Sequence, residues 1–489
     1  MNREVKIAFG FTLLVTAALV AVQMTAPKAE AIPAFARKYH TACATCHSNW
    51  PELNDFGLAF KMNGFKFPQD NEDFVKEPPL ELGSRAQKEA FPDSIWPGEL
   101  PILPIAFRYS GYTTYTSPQP QAIAAESGYT PQAEMFSPNT FTIISASSLG
   151  PSLEFWIDDD ISTGGTGQGG GLGDAYIKAN NFVGYYMHVP RNDLNVRYGQ
   201  FELDLPFTQA RTINLTNYAI YSETAQVNPS GNGPLPGTTN NPFTFASPQR
   251  GIELGGYPYR GNTWWTVSVV DGENAQYGTA PIASRNAKDV YINFWQRFNL
   301  ERDPAIRKQI QASGDKGIHD HTQIRFNGFA YIGNNQMNQD GKLYPGLPVL
   351  NEPFYRAGGS FLYKFRSDFE VWGLYEHARD ANKTINAANT AYLTATPVTY
   401  SGGFLEAEYW FYPWLIGLMR YDGVNSPTDR INGVSRYDTR NQFEPGVQIL
   451  VRPNIKIETQ YTYSYQQPVP NSTQYYRQNQ LLAGIDFVY

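Results

Sequence analysis

Residues 455–465 read IKIETQYTYSY, and this stretch displays the pattern from which the fold of most of the 489-residue chain can be argued. Apolar, aromatic or β-branched side chains occupy the odd positions, and polar or charged side chains occupy the even positions. Because successive side chains of a strand point to opposite faces, this period of two predicts a strand with one apolar and one polar face. The segments 404–411 and 480–489 repeat the pattern. A soluble sandwich also alternates in this way, so the pattern alone does not select an architecture.

Similar segments recur up to the last residue, and about sixteen of them can be counted, a number that suits an antiparallel membrane barrel. The candidate strands are residues 105–116, 140–149, 151–161, 173–184, 192–203, 251–260, 262–272, 289–298, 321–333, 354–366, 367–379, 402–411, 413–423, 437–451, 453–466 and 474–489.

The lengths of the connections favour an outer-membrane barrel over a soluble β-domain. Connections after even-numbered segments are short, as at Gly150-Pro151 and Arg452-Pro453, whereas those after odd-numbered segments are long, as at 204–250. Short turns on one side and long loops on the other are typical of outer-membrane barrels. The connection 299–320 breaks this rule, and we predict a helix there. The aromatic Tyr489 at the last position suits the assembly signal of such barrels.

Composition excludes two other classes of protein. Charged residues make up 17% of the chain, aromatic residues 15%, and the mean hydropathy is −0.42. Beyond the amino-terminal leader, no apolar run reaches the roughly 18 residues of a membrane-spanning helix. The net charge of −7 gives no basic surface for nucleic acid, so no nucleic-acid partner is expected.

Residues 1–31 have the layout of a secretory signal peptide. Arg3 and Lys6 form a basic start, an apolar run follows, and Ala29-Glu30-Ala31 supplies a small-residue cleavage site. The mature chain is therefore expected to begin at Ile32, with an uncleaved anchor as the alternative.

The sequence Cys43-Ala44-Thr45-Cys46-His47 is the C-x-x-C-H signature of c-type haem attachment. Its two thiols can bond to the two vinyl groups of one haem, and the imidazole then becomes an axial ligand of the iron. The alternatives are a disulfide, a thioredoxin-like redox pair or half of a zinc site. A redox pair does not need His47, and the chain has only these two cysteines, too few for a second C-x-x-C. We therefore predict one covalently bound haem c.

The chain is divided into a signal peptide (1–31), a small α-helical c-type cytochrome domain (32–68), a proline-rich linker (69–103) and an all-β transmembrane barrel (104–489). Short helices are expected on both sides of the motif. A domain this small cannot build a good core unaided, and a haem would supply the missing apolar volume. The side chains expected to wrap it are Phe35, Trp50, Leu53, Phe56, Phe60 and Phe65.

The distal ligand of the iron is open at this point. Met62 is the one methionine of the small domain, and thioether ligation would raise the reduction potential. The alternative is that Met62 fills space in the core. His40, Met187 and His188 are weaker candidates, because each needs a particular chain path to reach the haem.

Carboxylates are frequent where the odd-numbered strands end. Hard oxygen ligands suit Fe²⁺, but rims and loops are polar in any case, and that second explanation is favoured. His319-Asp320-His321 resembles a metal clip, but a solvated turn is the favoured explanation. No arrangement of nucleophile and base is found. The rim carboxylates are Asp158, Asp159, Asp160, Glu202, Asp204, Asp271, Glu273 and Asp422.

A haem tied to a barrel suggests a membrane crossing for electrons. A single haem beside the membrane cannot pass electrons across a hydrocarbon core of about 30 Å. A barrel of this size can hold a water-filled lumen, and a domain of about 40 residues has the size of a plug. We expect the haem domain in the lumen or at its periplasmic mouth, with the long loops extracellular.

The amino-terminal residues resemble the fused monohaem cytochrome–porins found in the outer membrane of iron-oxidising bacteria. The resemblance covers about 33 residues and over the barrel is architectural only. It implies oxidation of extracellular Fe(II), with the electron passed through one c-type haem to a periplasmic cytochrome or cupredoxin. The matching residues are Pro33-Ala34-Phe35-Ala36-Arg37, Cys43, Cys46, His47, Pro51-Glu52-Leu53, Phe56-Gly57, Phe60-Lys61 and Asn63-Gly64-Phe65.

Two other functions compete with this iron-oxidising, electron-transferring oxidoreductase. The first is a porin or transport channel whose tethered haem acts as a sensor or gate. The second is a soluble periplasmic haem enzyme with a β-rich catalytic domain. Heat-modifiable migration in outer-membrane fractions would distinguish a barrel from the soluble enzyme. Reduction of the haem by Fe(II) would distinguish the electron-transferring protein from the channel.

Overall fold

The computed structural model describes most of the barrel and a short amino-terminal segment. The described residues are 34–39, 41–67, 105–118, 132–149, 153–163, 171–182, 192–207, 218–223, 241, 243–245, 247–258, 261–272, 287–313, 321–337, 345–385, 390–394, 396–425, 430–431, 434–435, 440–452, 454–464, 467–468, 475–476 and 479–489. The predicted signal peptide (1–31) and linker (69–103) lie outside these residues, as do His40, Met187, His188, Glu273, His319 and Asp320.

The chain forms a closed antiparallel β-barrel of 16 strands, in which each strand pairs with its neighbour in sequence. The last strand closes the barrel against the first, with Ile485 opposite Gly111. The strands are β1 Ile105–Thr116, β2 Ala133–Leu149, β3 Leu153–Thr163, β4 Gly171–Ala179, β5 Asn195–Phe201, β6 Gln249–Gly256, β7 Thr263–Val270, β8 Asp289–Asn299, β9 Gln323–Met337, β10 Leu350–Phe365, β11 Phe369–Asp380, β12 Val398–Tyr412, β13 Leu415–Asn425, β14 Arg440–Arg452, β15 Ile455–Ser464 and β16 Gln480–Val488.

All sixteen predicted segments are strands, but one boundary differs for a clear reason. Strand β2 begins at Ala133, whereas the sequence places its start at residue 140. Pro138 cannot donate a ladder hydrogen bond and therefore argues against a strand at that point. The chain accommodates the proline through an irregularity in register opposite Ser110 and Tyr112. Pairing then continues from Tyr112 with Phe136 to Tyr115 with Ala133.

Three short two-stranded ladders lie in long connections. They pair Lys383–Ile385 with Tyr392–Thr394, Arg430–Ile431 with Val434–Ser435, and Gln467–Pro468 with Tyr475–Tyr476. The predicted helix on the opposite side is present as Pro304–Ser313, between β8 and β9. In the part of the chain that the structure describes, no helix is long and apolar enough to cross a membrane.

The two faces of the barrel wall follow the predicted alternation. On β15, Lys456, Glu458 and Gln460 are at most 1% exposed and face the lumen, whereas Tyr461 is 40% exposed and faces outward. Large apolar side chains are exposed on the outer face of most strands. They include Ile157, Ile177, Tyr198, Ile252, Phe294, Phe326, Ile332, Tyr375, Leu405, Tyr409, Met419, Val447 and Ile485.

Residues 34–67, which we call the amino-terminal segment, contain the C-x-x-C-H motif. Helix α1 spans Ala34–Tyr39, and helix α2 spans Asp55–Met62. A 3-10 turn covers Cys43–Thr45, and a small hairpin pairs His47–Asn49 with Glu52–Leu53. The predicted helices on both sides of the motif are confirmed, whereas the hairpin between them is not anticipated by the expectation of a purely α-helical domain.

Described residues of the connection between β5 and β6 lie inside the lumen, which corrects the expectation that this long loop is purely extracellular. Tyr218, Ile220 and Phe243 of this connection are each 1% exposed. They belong to a large apolar cluster with inward-facing aromatic side chains of the wall, such as Tyr331 and Phe404. Both partners are strongly apolar, so burying them against each other removes them from water and is favourable.

Candidate haem-attachment site

The two cysteines lie on one tight turn. The backbone N–H of Cys46 donates to the carbonyl of Cys43 at 3.1 Å, which closes the 3-10 turn. Both thiols are half-buried and free, with no disulfide between them. The turn is followed at once by His47, which begins the hairpin. Two thiols and an imidazole are therefore presented by five consecutive residues.

The thiols are held in their protonated form. Burial raises the pKa of Cys43, and burial together with the neighbouring Cys43 raises the pKa of Cys46 to about 12. Burial is thus the main cause of both shifts.

His47 is oriented by the backbone of the hairpin. Its Nδ1 lies 3.2 Å from the carbonyl oxygen of Pro51 and 3.1 Å from that of Glu52. Carbonyls accept only, so Nδ1 carries the hydrogen and Nε2 keeps its lone pair. Burial lowers the pKa of His47 to about 4, although both carbonyl contacts oppose this shift. A neutral imidazole whose second nitrogen is fixed by a carbonyl is the usual form of a metal-binding histidine.

Helix α2 packs against the turn that carries the two cysteines and holds it in place. The N-cap residue Asn54 accepts from the N–H of Gly57 at 2.8 Å, and its amide group donates to the carbonyls of Ala44 and Thr45 at 3.3 and 3.2 Å. The backbone of Gly57 packs on Cys46, and a Cβ added at Gly57 would collide with the Cys46 carbonyl oxygen. The close approach of helix and turn therefore requires glycine at position 57.

Replacing Gly57 by valine should push α2 away from the Cys43–Cys46 turn and reduce covalent haem attachment, because the collision involves backbone that cannot move aside. The measurement is haem-associated peroxidase staining of the purified protein after denaturing electrophoresis. The control is Gly328→Val on β9, where an added Cβ meets nothing within 4 Å. Equal staining of both variants would contradict the packing role of Gly57.

An aromatic cluster adjoins the turn. Phe35 stacks on Phe65 with ring centroids 5.0 Å apart, and Phe56 packs edge-on to Phe67 at 5.3 Å. Cys46 packs against the same cluster, so an apolar group attached to its sulfur would enter an apolar environment. Of the expected haem-wrapping side chains, Phe35, Phe56, Phe60 and Phe65 are in this cluster, whereas Trp50 packs on the ring of His47 at 4.8 Å. Leu53 lies beside Gly57.

Met62 ends helix α2 and is half-buried. It lies outside the aromatic cluster that contains Phe56 and Phe60 on the same helix. Its predicted role as distal ligand stays a prediction.

Asp55 anchors the amino-terminal segment to the barrel wall. Its carboxylate forms an ion pair with Arg325 and accepts a hydrogen bond from Gln323 at 2.8 Å. Arg297 and His321 lie 3.8 and 4.0 Å away. These partners sit on or beside the ends of β8 and β9 and face the lumen, so the anchor holds α2 inside the rim of the barrel.

A second set of contacts joins the segment to β2, β3 and β4. Gly64 has a φ of +74°, and a Cβ there would collide with Asn180. Phe65 packs on Trp156 with centroids 5.7 Å apart, and Lys38 donates to Ser148 at 3.4 Å. All of these wall residues belong to the barrel end that carries the short turns. The segment therefore sits at the barrel end that carries the short turns.

The charge of Asp55 makes this docking sensitive to acid. Burial raises the pKa of its carboxyl, but Arg325 and Arg297 outweigh burial and lower the pKa to about 2. An aspartate in an unfolded chain titrates near pH 4, so the lowered pKa contributes about 2 kcal/mol. That contribution is complete above roughly pH 4 and is lost as the pH falls through about 2.

We therefore expect the segment to stay docked from neutral pH to about pH 4 and to loosen near pH 2. Amide hydrogen exchange of residues 54–62, corrected for the intrinsic pH dependence, measures this directly. The Asp55→Asn variant should show no such acid transition. Loss of protection already between pH 6 and pH 4 would contradict the assignment to Asp55.

Five of the predicted rim carboxylates are engaged by protein donors. Asp158 accepts from Trp156 Nε1 and from the backbone of Asp174, both at 2.7 Å. Among the described residues, no group of three or more His, Cys, Asp or Glu could hold a metal ion. The explanation of these carboxylates as structural polar groups is thus the better one. Other such pairs are Asp160 with Thr142, Asp204 with Asn293, Asp271 with Lys288 and Asp422 with the backbone of Ala219.

Comparison with known proteins finds likeness only at the level of structure. No protein-family model and no curated protein matches the chain. The outer membrane channel DcaP of Acinetobacter baumannii is 10% identical, with 79% of this chain and 96% of that chain covered and a TM-score of 0.49. OmpF of Salmonella typhi, solved with daunomycin, is 10% identical over 79% and 97%, with a TM-score of 0.46. An anion-selective porin from Comamonas acidovorans is 9% identical over 79% and 98%, with a TM-score of 0.45. No conclusion about ligand or activity follows from likeness at this level, and the barrel is established by its own strand pairing.

Proposed function

We propose that the barrel spans a bacterial outer membrane. Its outward face carries exposed apolar side chains on nearly every strand, while charged side chains such as Glu458 and Asp486 are buried on the lumen side. This distribution is the reverse of a soluble protein and matches a wall in contact with lipid. Tyr412 and Trp414, stacked 5.5 Å apart at a short turn, suit the aromatic girdle at the membrane interface.

We propose further that the protein is an outer-membrane electron conduit, with one haem c bonded to Cys43 and Cys46 and His47 as axial ligand. The observation that carries the proposal is geometric: two thiols on one tight turn are followed at once by an imidazole whose Nδ1 is bound by backbone carbonyls. The haem would supply a one-electron Fe(III)/Fe(II) couple. The protein would hold that couple at one end of a closed barrel through Asp55 and Arg325.

The proposed donor is extracellular Fe(II), and the proposed acceptor is a periplasmic cytochrome or cupredoxin. The resemblance of residues 33–65 to the cytochrome–porins of iron oxidisers supports this direction. Outer-sphere electron transfer needs no bound metal substrate, which agrees with the five rim carboxylates that are already engaged by the protein.

Rapid mixing of the oxidised protein with Fe(II) tests this function. The reduced α and β absorption bands of a c-type haem are expected to appear on the timescale of turnover. Dithionite gives the fully reduced spectrum as the reference. Reduction by dithionite without reduction by Fe(II) would rule out iron as the donor.

A solute channel is the second candidate, because closed barrels of this size are the architecture in which porins are built. It predicts steady ion conductance when the full-length protein is inserted in a planar lipid bilayer. The apolar cluster formed in the lumen by Tyr218, Phe243 and their partners favours the conduit, since apolar side chains there oppose the passage of ions. Conductance typical of open porins would favour the channel.

A further inference from the structure

With the amino-terminal segment docked at one end of the barrel, an electron from outside the cell must still travel from the other end to reach the haem. Its anchor residues lie at the short-turn end of the barrel, whereas an external donor would approach from the long-loop end. The hydrocarbon core between the two sides is about 30 Å thick. Electron tunnelling weakens steeply with distance, so one haem at the rim needs closely spaced intermediate groups above it.

A chain of aromatic rings begins at the anchor itself. Arg325, which pairs with Asp55, lies over the ring of Trp264 at 6.0 Å. Trp264 stacks on Trp295 with ring centroids 4.9 Å apart. Trp295 is 4% exposed and faces the lumen, so this stack is directed inward rather than toward lipid.

The connection between β5 and β6 supplies the next rings of this series. Phe207 contacts both Trp295 and Trp372, with centroids 6.0 and 5.9 Å apart. Trp372 Nε1 donates a hydrogen bond to the hydroxyl of Tyr218 at 3.2 Å. The connection between β5 and β6 therefore bridges two wall tryptophans that do not belong to neighbouring strands.

From Tyr218, the series of aromatic rings continues toward the long-loop end of the barrel. Tyr218 packs on Tyr221 at 6.1 Å, and Tyr221 packs on Phe245 at 6.2 Å. Phe245 then contacts Tyr331 at 5.9 Å. Tyr331 stacks on Phe354 at 5.7 Å, and Phe354 pairs with Asp380 at the long-loop end of β11. The ring-to-ring contacts of this aromatic column are at most 6.2 Å between centroids, and the hydrogen bond between Trp372 and Tyr218 completes it.

We propose that this aromatic column, from Trp264 to Phe354, is the electron path between the long-loop side of the barrel and the haem. The inference rests on the proposed conduit function and specifies its route. One electron leaves Fe(II), which becomes Fe(III), and one electron reduces the ferric haem. A ferric haem oxidises an aromatic ring only uphill, so each ring serves as a bridge or a short-lived station, and spacing decides the rate.

Tyr218 is equipped for proton exchange. Its hydroxyl donates to Glu406 Oε2 at 2.7 Å, while the guanidinium of Arg420 lies over its ring at 5.0 Å. A phenol that loses an electron also loses its proton, and here the Glu406 carboxylate receives it. When the next electron arrives from the donor, the proton returns to the Tyr218 oxygen, so atoms and charges balance over one passage.

The test compares two substitutions at adjacent positions of β8. Trp295→Leu removes an inward ring of the column, whereas Phe294→Leu removes an outward ring that is 49% exposed. The full-length holoprotein is placed in vesicles, and haem reduction is followed after Fe(II) is added on the long-loop side. Trp295→Leu should slow reduction by an order of magnitude or more, with normal haem content and normal reduction by dithionite. Phe294→Leu should match the wild-type protein.

If Trp295→Leu keeps the wild-type rate while the wild-type haem is reduced by Fe(II), the column is refuted and the conduit stands. If Fe(II) does not reduce even the wild-type haem, the conduit function itself fails. A second measurement does not depend on turnover. Photo-oxidation of the holoprotein by a ruthenium complex should give a hydrogen-bonded tyrosyl radical by electron paramagnetic resonance, and Tyr218→Phe should remove it. An unchanged radical signal in Tyr218→Phe would exclude Tyr218 from the path.

Discussion

Replacing Cys43 and Cys46 together by alanine is expected to yield a folded barrel that carries no covalent haem and no Fe(II)-dependent electron transfer. The two sulfurs are the sole cysteine sulfurs of the chain, so no other residue can form the thioether bonds. The barrel should still assemble, because its strand pairing does not involve the amino-terminal segment. Haem staining after denaturing electrophoresis and heat-modifiable migration measure the two properties separately.

The matched control is His47→Ala, which keeps both thiols. We expect it to retain covalent haem but to lose the spectrum of a histidine-ligated iron, because the imidazole with its free Nε2 is gone. Covalent haem in the double cysteine variant would contradict the attachment site. An unchanged spectrum in His47→Ala would contradict the assignment of the axial ligand.

Asp55→Asn should have the second largest effect, because it removes one partner of a buried ion pair. The side chains of Asp55 and Arg325 are 4% and 11% exposed, and breaking such a pair typically costs about 3–5 kcal/mol. The segment should therefore undock between about a hundredfold and a few thousandfold more often, since 1.4 kcal/mol corresponds to a factor of ten. Tryptic cleavage after Lys61 and Lys66 in the folded, detergent-solubilised protein measures the undocked fraction.

Asp368→Asn is the control for this variant. Asp368 is an exposed carboxylate in the short turn between β10 and β11. A double-mutant cycle with Arg325→Gln isolates the pair, and the two substitutions should be far from additive. Equal tryptic cleavage of the Asp55 and Asp368 variants would show that the ion pair does not hold the segment.

The barrel could be predicted from sequence because its signal is local. The alternation at Lys456, Glu458 and Gln460 is readable within one strand, and the buried state of these side chains agrees with it. The start of β2 was misplaced because Pro138 opposes a strand locally, while pairing with β1 overrides that preference. Local propensity is a weak guide where a neighbouring strand supplies the ladder.

The inward fold of the β5–β6 connection could not be predicted, because its contacts are distant in sequence. Tyr218 bonds to Glu406, which lies 188 residues further along the chain. A signal was nevertheless present, since aromatic residues such as Tyr221 and Phe245 are unusual in a solvated loop. The stretch 326–331 of β9 carries aromatic residues on both faces, Phe326 on one and Phe329 and Tyr331 on the other, which likewise indicates a strand that is covered on its lumen side.

Part of the candidate site can likewise be predicted from the sequence, and part of it depends on the fold. Cys43, Cys46 and His47 follow from the motif, because five consecutive residues carry the chemistry. The carbonyls of Pro51 and Glu52 that orient His47 depend on a hairpin that was not expected. The docking of Asp55 on Arg325 joins residues 270 positions apart, so only the folded barrel brings them together.

The most direct measurement uses vesicles that contain the full-length protein and a trapped, oxidised soluble cytochrome c. Fe(II) is added outside, and the spectrum of the trapped cytochrome is followed. We expect reduction of the trapped cytochrome by the wild-type protein and none by the Cys43→Ala, Cys46→Ala double variant. Equal reduction with both proteins, or a cytochrome that stays oxidised beside a haem-loaded wild-type barrel, would contradict this expectation.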